Sequence, residues 1–226
     1  VTPNMGGANQ TGTPQGTGNG PYVHEVWAAT SDDGLTWNMG TSNPIVQHAS
    51  VPADIVQADG TIMLYYVDAS AGPDKLGCQR SRDNGATFVS ADCTIKNSSI
   101  DRAVDFSIVQ LSDGRYRLYY FGSATTQGDP GSAEGDHHIY SAISTDGITF
   151  TEEGSVFSYP GLVDPDVFWN GSTWIMHVFS LTKGATVVAT STDGTNFTYK
   201  NSLSPSGYGV PKPVMLSDTT FRMYGF

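Results

Sequence analysis

The residues of this chain best suited to acid–base chemistry are aspartates embedded in short apolar segments. A carboxylate buried alone is unfavourable, so each of these must be paired or used. Carboxyls crowded together also raise one another's pKa, which provides a proton donor beside a base. The candidate catalytic or ligand-binding set stands among valine, isoleucine, phenylalanine and proline and consists of Asp54, Asp105, Asp164 and Asp166. The alternative is that these groups cap loop amides or hold a structural cation.

Two repeated motifs show which elements position the aspartates. The first is a turn of the pattern Ser-x-Asp-Gly-x-Thr-aromatic, or a close variant, which occurs four times, at 31–37, 81–88, 144–150 and 191–197. Asp accepts hydrogen bonds from turn amides, Gly supplies a positive φ, and the aromatic ring packs beneath the turn. Each copy therefore predicts a tight hairpin between two strands.

The second motif lies between the turns and is also fourfold. It is a short apolar strand, a polar turn and a second apolar strand, and its copies begin at Val51, Val104, Val163 and Val210. Aligned by these valines, Asp105 and Asp164 occupy one position, which Pro52 holds in the first copy. Asp54 and Asp166 occupy the position two residues later, on the same side of the strand.

Together the motifs define a unit of four antiparallel strands in about 50 residues, which is typical of a β-propeller blade. The chain opens with the second half of a unit and ends with the first half of one. Pairing of residues 208–226 with 22–40 would complete the set and remove an exposed sheet edge. We therefore predict an all-β propeller of four-stranded antiparallel blades, four in number, closed by pairing of the N- and C-terminal strands. Residues 1–20 would form a Gly-rich N-terminal segment and 21–226 a single propeller domain.

Composition excludes several classes of protein. The chain has 11 Lys and Arg against 22 Asp and Glu, a net charge of −11, which excludes binding to a nucleic-acid backbone. No apolar run reaches the length of a membrane-spanning helix, so we expect no membrane span. The 26 glycines and the low charged fraction of 15% favour an all-β chain rich in turns.

With both motifs in view, the sequence resembles the furanosidase-type propellers, which are the glycoside hydrolases of family 43 and their relatives in families 32, 62, 68 and 117. The resemblance rests on residues 163–168 (Val-Asp-Pro-Asp-Val-Phe), the aliphatic-Tyr-Tyr strands and the Ser-x-Asp-Gly turns. It covers nearly the whole chain after about residue 20. The turns are also similar to the Asp boxes of sialidases, but the arginine cluster of a sialidase has no evident counterpart.

The resemblance implies an active site at the centre of the ring, where the first strands of the blades converge. In that family a base carboxylate, a second Asp and a Glu acid stand on those strands; here they offer Asp54, Asp105 and Asp164. No Glu occupies a first strand, and the family normally has five blades, so a five-bladed relative stays open. The acid would be one of the aspartates, or Glu25 or Glu134 from the loops that open the third strands, and Glu25 is the candidate.

Candidate substrate-binding residues are histidines, a carboxylate and a tryptophan. Superposing Trp37 on Phe150 aligns His24 with His137, so two blades aim imidazoles at one face. Such groups could line a sugar pocket or hold a divalent metal, although no tight metal-binding spacing occurs. The metal ligands stay unknown; we expect no required cofactor and leave open a calcium ion at the central channel. The candidates are His24, His48, His137, His138, Asp166 and Trp169. We expect His177 to be a satisfied strand residue.

Cys78 and Cys93 flank the turn at 81–88 and could close that hairpin as a disulfide. Two buried free thiols are the alternative. The predicted disulfide and the acidic surface favour a secreted or periplasmic location. We also expect a monomer.

These features predict a secreted glycoside hydrolase that acts on oligo- or polysaccharide through carboxylates at the propeller axis. The alternative is a carbohydrate-binding propeller without catalysis. A third hypothesis is a repeat scaffold with no small-molecule role.

Overall fold

The computed structural model describes residues 20–33, 35–40, 43–71, 73–122, 136–203, 212–217 and 220–224. The predicted all-β class is confirmed: one short 3-10 helix, Pro21–Val23, precedes a succession of strands. In chain order the strands are β1 (Glu25–Val26), β2 (Ala29–Thr30), β3 (Asn38–Met39), β4 (Val46–Gln47), β5 (Ala49–Val56), β6 (Ile62–Asp68), β7 (Lys75–Ser81), β8 (Val89–Ser90), β9 (Thr94–Lys96), β10 (Val104–Gln110), β11 (Tyr116–Gly122), β12 (Asp136–Ser144), β13 (Thr149–Pro160), β14 (Leu162–Trp169), β15 (Trp174–Ser180), β16 (Ala185–Ser191), β17 (Thr198–Ser202), β18 (Lys212–Ser217) and β19 (Thr220–Tyr224).

The middle of the chain forms three sheets of antiparallel strands, each opened by the apolar strand of the second motif. The first sheet has the order β5-β6-β7-β8, and the third has the order β14-β15-β16-β17. The second sheet, β10-β11-β12-β13, gains β9 as a parallel neighbour of β13. The first strand of the second sheet, β10, contacts both β5 and β14, so residues at equivalent positions of neighbouring first strands are brought together.

The two ends of the described chain form smaller, separate sheets. β1 pairs with β4, β2 pairs with β3 across the 31–37 turn, and β18 pairs with β19. No pairing joins the N-terminal strands to β18 or β19 within the described residues. The number of blades and the closure of the ring therefore stay predictions.

The core lies between the three full sheets and is built from the repeated apolar strands. Tyr65, Tyr119, Phe106 and Phe150 are buried completely or nearly so. The aromatic side chains that the sequence repeats with the strands are thus mainly packing residues, because each fills the space between neighbouring sheets. Within the described residues, no helix is long and apolar enough to cross a membrane.

A disulfide joins β7 to the segment after β8. It links Cys78 to Cys93, whose Cα atoms lie 5.7 Å apart, a spacing that suits such a bridge. It closes the hairpin around the 81–88 turn at the outer edge of the first sheet.

Candidate active site

A β-bulge interrupts the first strand of each full sheet at the same place. The first residue of each bulge has a positive φ, at Val51 (48°), Asp105 (55°) and Asp164 (53°). Pairing with the second strand skips two residues in each case, between Ser50 and Ala53, between Val104 and Ser107, and between Val163 and Asp166. Aspartate tolerates this left-handed conformation better than most residues. Bulges redirect side chains and are over-represented beside active sites.

The observed register corrects the alignment of the first motif copy by one residue. Val51, and not Pro52, is the equivalent of Asp105 and Asp164, because each opens the bulge of its strand. The bulge therefore presents a carboxylate in the second and third sheets and an apolar side chain in the first.

The observed register also places Asp54 at a different strand position from the other candidate carboxylates. Ala53 is the first residue after the bulge of β5, as Asp166 is in β14. Asp54 comes one position later and takes the register position of Val167. It is exposed, and successive residues of a strand point to opposite faces. The expectation that Asp54 shares a side with Asp166 was therefore wrong.

Asp105 and Asp164 form a pair of carboxyls on contacting first strands. Both side chains keep some access to solvent although protein surrounds them. Burial raises the pKa of Asp105 well above its usual range, and the charge of Asp164 raises it further, against a hydrogen bond from the Asp164 main chain. Burial raises the pKa of Asp164 to about 6, and Lys212 opposes this rise. The pair can thus hold a proton on Asp105 while Asp164 is ionised.

Asp166 lies two residues beyond Asp164 and is bound to the C-terminal part of the chain. The Lys212 ammonium on β18 donates to its carboxylate at 2.8 Å. Burial raises the pKa of Asp166, and Lys212 lowers it. The Lys212 side chain is still 44% exposed, and the charge of its ammonium also lowers the pKa of Asp105.

A further carboxylate, Asp74, approaches the pair from the start of β7. Arg102 donates to it at 2.7 Å, and the charge of Asp74 adds to the raised pKa of Asp105. The sequence carried a signal for this residue: when the third strands are aligned by the serines of their turns, Asp74 takes the position of His24 and His137.

His24 and His137 do occupy equivalent places, where each binds the first strand of the next sheet. His24 Nδ1 lies 2.9 Å from the Ser50 hydroxyl, and His137 Nδ1 lies 2.8 Å from the carbonyl oxygen of Leu162. His137 is only 5% exposed. Its geometry fits an inter-sheet hydrogen bond, whereas His24 retains partial exposure.

The other two candidate histidines lie apart from each other. His48 stacks on Tyr22 with ring centroids 4.2 Å apart, and its Nδ1 lies 2.5 Å from the Tyr22 carbonyl oxygen. His138 Nδ1 lies 3.0 Å from the Ser155 hydroxyl across the β12–β13 ladder. The four histidines therefore form two groups, with His24 and His48 beside the N-terminal strands and His137 and His138 on β12 of the second sheet.

Glu25 is exposed and engaged by its own neighbours. Trp27 Nε1 donates to its carboxylate at 3.1 Å, and Gln47 Nε2 donates at 3.2 Å. The structure shows no contact between Glu25 and the Asp105–Asp164 pair. Its role as the acid stays a prediction, and Glu134 lies outside the described residues.

Trp169 stands at the far end of β14 from the pair. Five residues separate it from Asp164, a distance of about 16 Å along a strand. It packs against Trp174, with ring centroids 5.3 Å apart, and is 43% exposed. A sugar held at Asp164 would therefore have to be long to reach this ring.

The part of the chain that the structure describes contains no candidate metal site. No group of three or more His, Cys, Asp or Glu side chains there could hold a metal ion. A calcium ion at the channel stays a prediction.

Sequence reasoning passed over Lys212 and misjudged His177. Lys212 interrupts the apolar first strand of the fourth motif copy, as the aspartates interrupt theirs, and this was the available signal. His177 was expected to be satisfied, but its Nδ1 is buried with no hydrogen-bond partner in the described structure. Burial lowers its pKa to about 4.

No protein-family profile and no curated protein matches this sequence, but solved structures share its fold. A Dyadobacter fermentans protein of unknown function matches with a TM-score of 0.71 and 15% identity, over 92% of this chain and 66% of that one. A thermostable family-43 glycoside hydrolase matches with a TM-score of 0.65 and 12% identity, over 87% and 74%. A family 117 glycoside hydrolase from Zobellia galactanivorans matches with a TM-score of 0.62 and 16% identity, over 86% and 60%.

At these identities the likeness shows the fold. The chain has a propeller-like all-β fold that glycoside hydrolases of families 43 and 117 also adopt. It spans slightly less than two thirds of the Dyadobacter chain and 60% of the Zobellia chain.

Proposed function

We propose that this protein is a glycoside hydrolase that acts on an oligo- or polysaccharide. The observation that carries the proposal is the Asp105–Asp164 pair, held by equivalent bulges on contacting strands of a fold shared with glycoside hydrolases. Two carboxyls of unequal proton affinity are the minimum equipment for cleaving a glycosidic bond.

In this proposal Asp105 is the proton donor. Burial and the charge of Asp164 raise its pKa, which favours the protonated carboxyl that can protonate the departing glycosidic oxygen. Asp164, ionised above about pH 6, stabilises the positive charge that develops on the sugar. Water then adds to the anomeric carbon, and its proton returns to the Asp105 carboxylate.

Binding of carbohydrate without cleavage is the second candidate function. It is favoured by Lys212, because the charged residue that β18 brings to the site is a cation bound to Asp166 and not a further carboxylate. A cation beside three carboxyls equips the site for hydrogen bonding to sugar hydroxyls as much as for proton transfer.

Release of reducing sugar from arabinan, xylan, fructan and agar-type oligosaccharides tests the first proposal. The wild type and the variants Asp105→Asn and Asp164→Asn are compared, since Asn keeps the shape but not the charge or the acidic proton. We expect each substitution to lower turnover by about 10²–10⁴-fold, the usual contribution of a general acid or base. Undiminished turnover by Asp105→Asn would contradict its assignment.

Asp113→Asn is the matched control. Asp113 is exposed in the β10–β11 turn, where it pairs with Arg115, and Asn is accepted at such a turn. Its turnover should equal that of the wild type. Binding of the same glycans, measured by calorimetry with no product released by any form, would instead support the second candidate.

We also propose that the scaffold has four blades in a closed ring and that the protein is a secreted or periplasmic monomer. The supporting observation for four closed blades is three full sheets with half-sheets at both ends of the described chain. The Cys78–Cys93 disulfide supports a secreted or periplasmic protein, because such bonds persist in oxidising compartments. Size-exclusion chromatography with light scattering tests whether it is a monomer.

A further inference from the structure

A hydrogen bond of the same kind connects the first sheet to a turn of the second, and the second sheet to a turn of the third. Tyr65 on β6 donates its hydroxyl to the carbonyl oxygen of Gly147 at 2.7 Å, and Tyr119 on β11 donates to that of Gly194 at 2.8 Å. Both acceptors belong to Ser-x-Asp-Gly turns. A tyrosine on the second strand of one sheet thus holds the outer turn of the next sheet by a hydrogen bond.

His177 occupies the same position in the third sheet. Tyr65 pairs with Ala53, Tyr119 pairs with Ser107, and His177 pairs with Asp166. In each pair the first-strand partner is the first residue after the bulge. His177 is therefore the third member of the donor series, with imidazole in place of phenol.

The hydrogen-bonding capacity of His177 is unmet within the described structure. The side chain is only 9% exposed, and its Nδ1 is buried without a partner. Burying a polar atom unpaired is unfavourable, so such an atom calls for an explanation. On the same face of the sheet, Asp166 already holds Lys212 of the C-terminal half-sheet.

The described residues of the Ser-x-Asp motif at 31–37 make the same Asp-centred hydrogen bonds as the two turns that are already bound. Its Asp33 carboxylate accepts from the amides of Leu35 and Thr36, each at 2.8 Å. The corresponding carboxylates are Asp146, which accepts from Ile148 and Thr149, and Asp193, which accepts from Thr195 and Asn196. This turn joins β2 to β3 in the half-sheet that would complete the unit begun by β18 and β19.

We propose that the 31–37 turn docks on the third sheet, with His177 Nδ1 donating to a main-chain carbonyl of that turn. The order of the units identifies the occupant. Tyr65 and Tyr119 each donate a hydrogen bond to the turn of the next unit, and the unit expected after the third sheet carries the turn at 31–37. The docked turn would close the ring and hold the N-terminal half-sheet beside Lys212. The proposal rests on the four-unit scaffold and is independent of hydrolysis.

The first test exchanges the histidine for the residue of the equivalent positions. His177→Tyr supplies a hydroxyl as at Tyr65 and Tyr119, so the melting temperature should rise by about 2–4 °C, the usual response of a domain this size to one improved interaction. His177→Phe, which cannot donate, should lower it. Equal melting temperatures for the Tyr and Phe variants would overturn the proposal.

A double-mutant cycle identifies the partner. Asp33→Ala disrupts the turn, and its effect on the melting temperature should be smaller in the His177→Phe background than in the wild type. Tyr119→Phe with Asp193→Ala is the positive control, because that contact is observed. His177→Phe with Asp193→Ala should be additive. Additivity between His177→Phe and Asp33→Ala as well would overturn the docking.

A spectroscopic measurement covers the case in which a variant fails to fold. In wild-type protein labelled with ¹⁵N-histidine, a docked His177 should show a protonated, exchange-protected Nδ1. An unprotonated Nδ1 would overturn the proposal, since such an atom cannot donate to a carbonyl.

Discussion

Aspartate has two opposite roles in this chain, and the surroundings of each side chain determine which role it has. In the turn at 81–88 the Thr87 hydroxyl and amide donate to Asp83 and lower its pKa to about 2. Asp105 and Asp164 lie in the bulges of first strands, where burial raises the pKa of each. The turn aspartates are therefore anions that fix hairpins, and the bulge aspartates are groups whose protonated form is favoured by their surroundings.

Activity, if it depends on this pair, should rise with pH through about 6 as Asp164 ionises, and fall again when Asp105 loses its proton. The apparent values belong to the pair as a whole. Replacing Lys212 with Met removes the cation that lowers the pKa of Asp164, so the acidic limb should move to higher pH. The pH dependence of kcat/KM for the wild type and Lys212→Met measures the shift. An unmoved limb would contradict the assignment to Asp164.

The raised pKa of Asp105 also implies a cost in stability. A carboxyl whose pKa is higher in the folded state binds a proton more readily there, so the free energy of unfolding falls as pH rises above the unfolded value of about 3.9. Asp105→Asn removes this penalty, and we expect it to stabilise the protein at pH 7 by about 1–2 kcal/mol. Urea unfolding at pH 7 and pH 4 checks this, with the gain smaller at pH 4. A loss of stability at pH 7 would mark Asp105 as a structural anion.

At the scale of elements, the sequence predicted the hairpins and missed the bulges. Ser, Asp, Gly and an aromatic at fixed spacing have a local physical reason to form a turn, so the four turns were readable. A bulge adds one residue to a strand and reverses the alternation beyond it. Val51 and Pro52 carry no local sign of which one opens the bulge, and so Asp54 was assigned to the wrong side of β5. Asp74 and Lys212 reach the site from other units, and only the packing of the units shows this.

The disulfide at the edge of the first sheet yields a prediction at the same scale. The Cys78–Cys93 bridge closes a loop of about 15 residues and so lowers the conformational entropy of the unfolded chain. In the chain-entropy account this stabilises the folded state by about 3 kcal/mol. Reduction, or the double substitution Cys78→Ser and Cys93→Ser, should therefore lower the melting temperature by several degrees. Differential scanning calorimetry with and without reductant measures this. Two titratable thiols in the untreated protein, together with a melting temperature that reductant leaves unchanged, would exclude the bridge.

At the scale of the whole molecule, charged pairs occur where one sheet meets the next. Asp74 with Arg102 links the first and second sheets, and Asp166 with Lys212 links the third sheet to β18. Cations are scarce in a chain of net charge −11, yet two of them pair with carboxylates that influence or adjoin the Asp105–Asp164 pair. The site is therefore assembled by the packing of the sheets, and a change that loosens this packing should also change the proton affinities of its carboxyls.

The acid sensitivity of this assembly should depend on His177. Burial lowers the pKa of its imidazole to about 4, against about 6.5 in an unfolded chain. Between these values the unfolded state binds the extra proton, so this residue makes the protein less stable as pH falls from 6.5 to 4. The residue paired with His177 on β14 is Asp166, whose charge is balanced by its ion pair with Lys212.

His177→Tyr removes that proton linkage while keeping a donor. The free energy of unfolding of this variant should therefore exceed that of the wild type by a margin that grows as pH falls, with an upper limit of about 3 kcal/mol near pH 4. Taking the difference between the two proteins cancels the opposite trend from Asp105 and Asp164, which both retain. Chemical denaturation at pH 7, 6, 5 and 4 measures it. A margin that stays constant over this range would show that the imidazole titrates normally and is not enclosed between the third sheet and the turn that closes the ring.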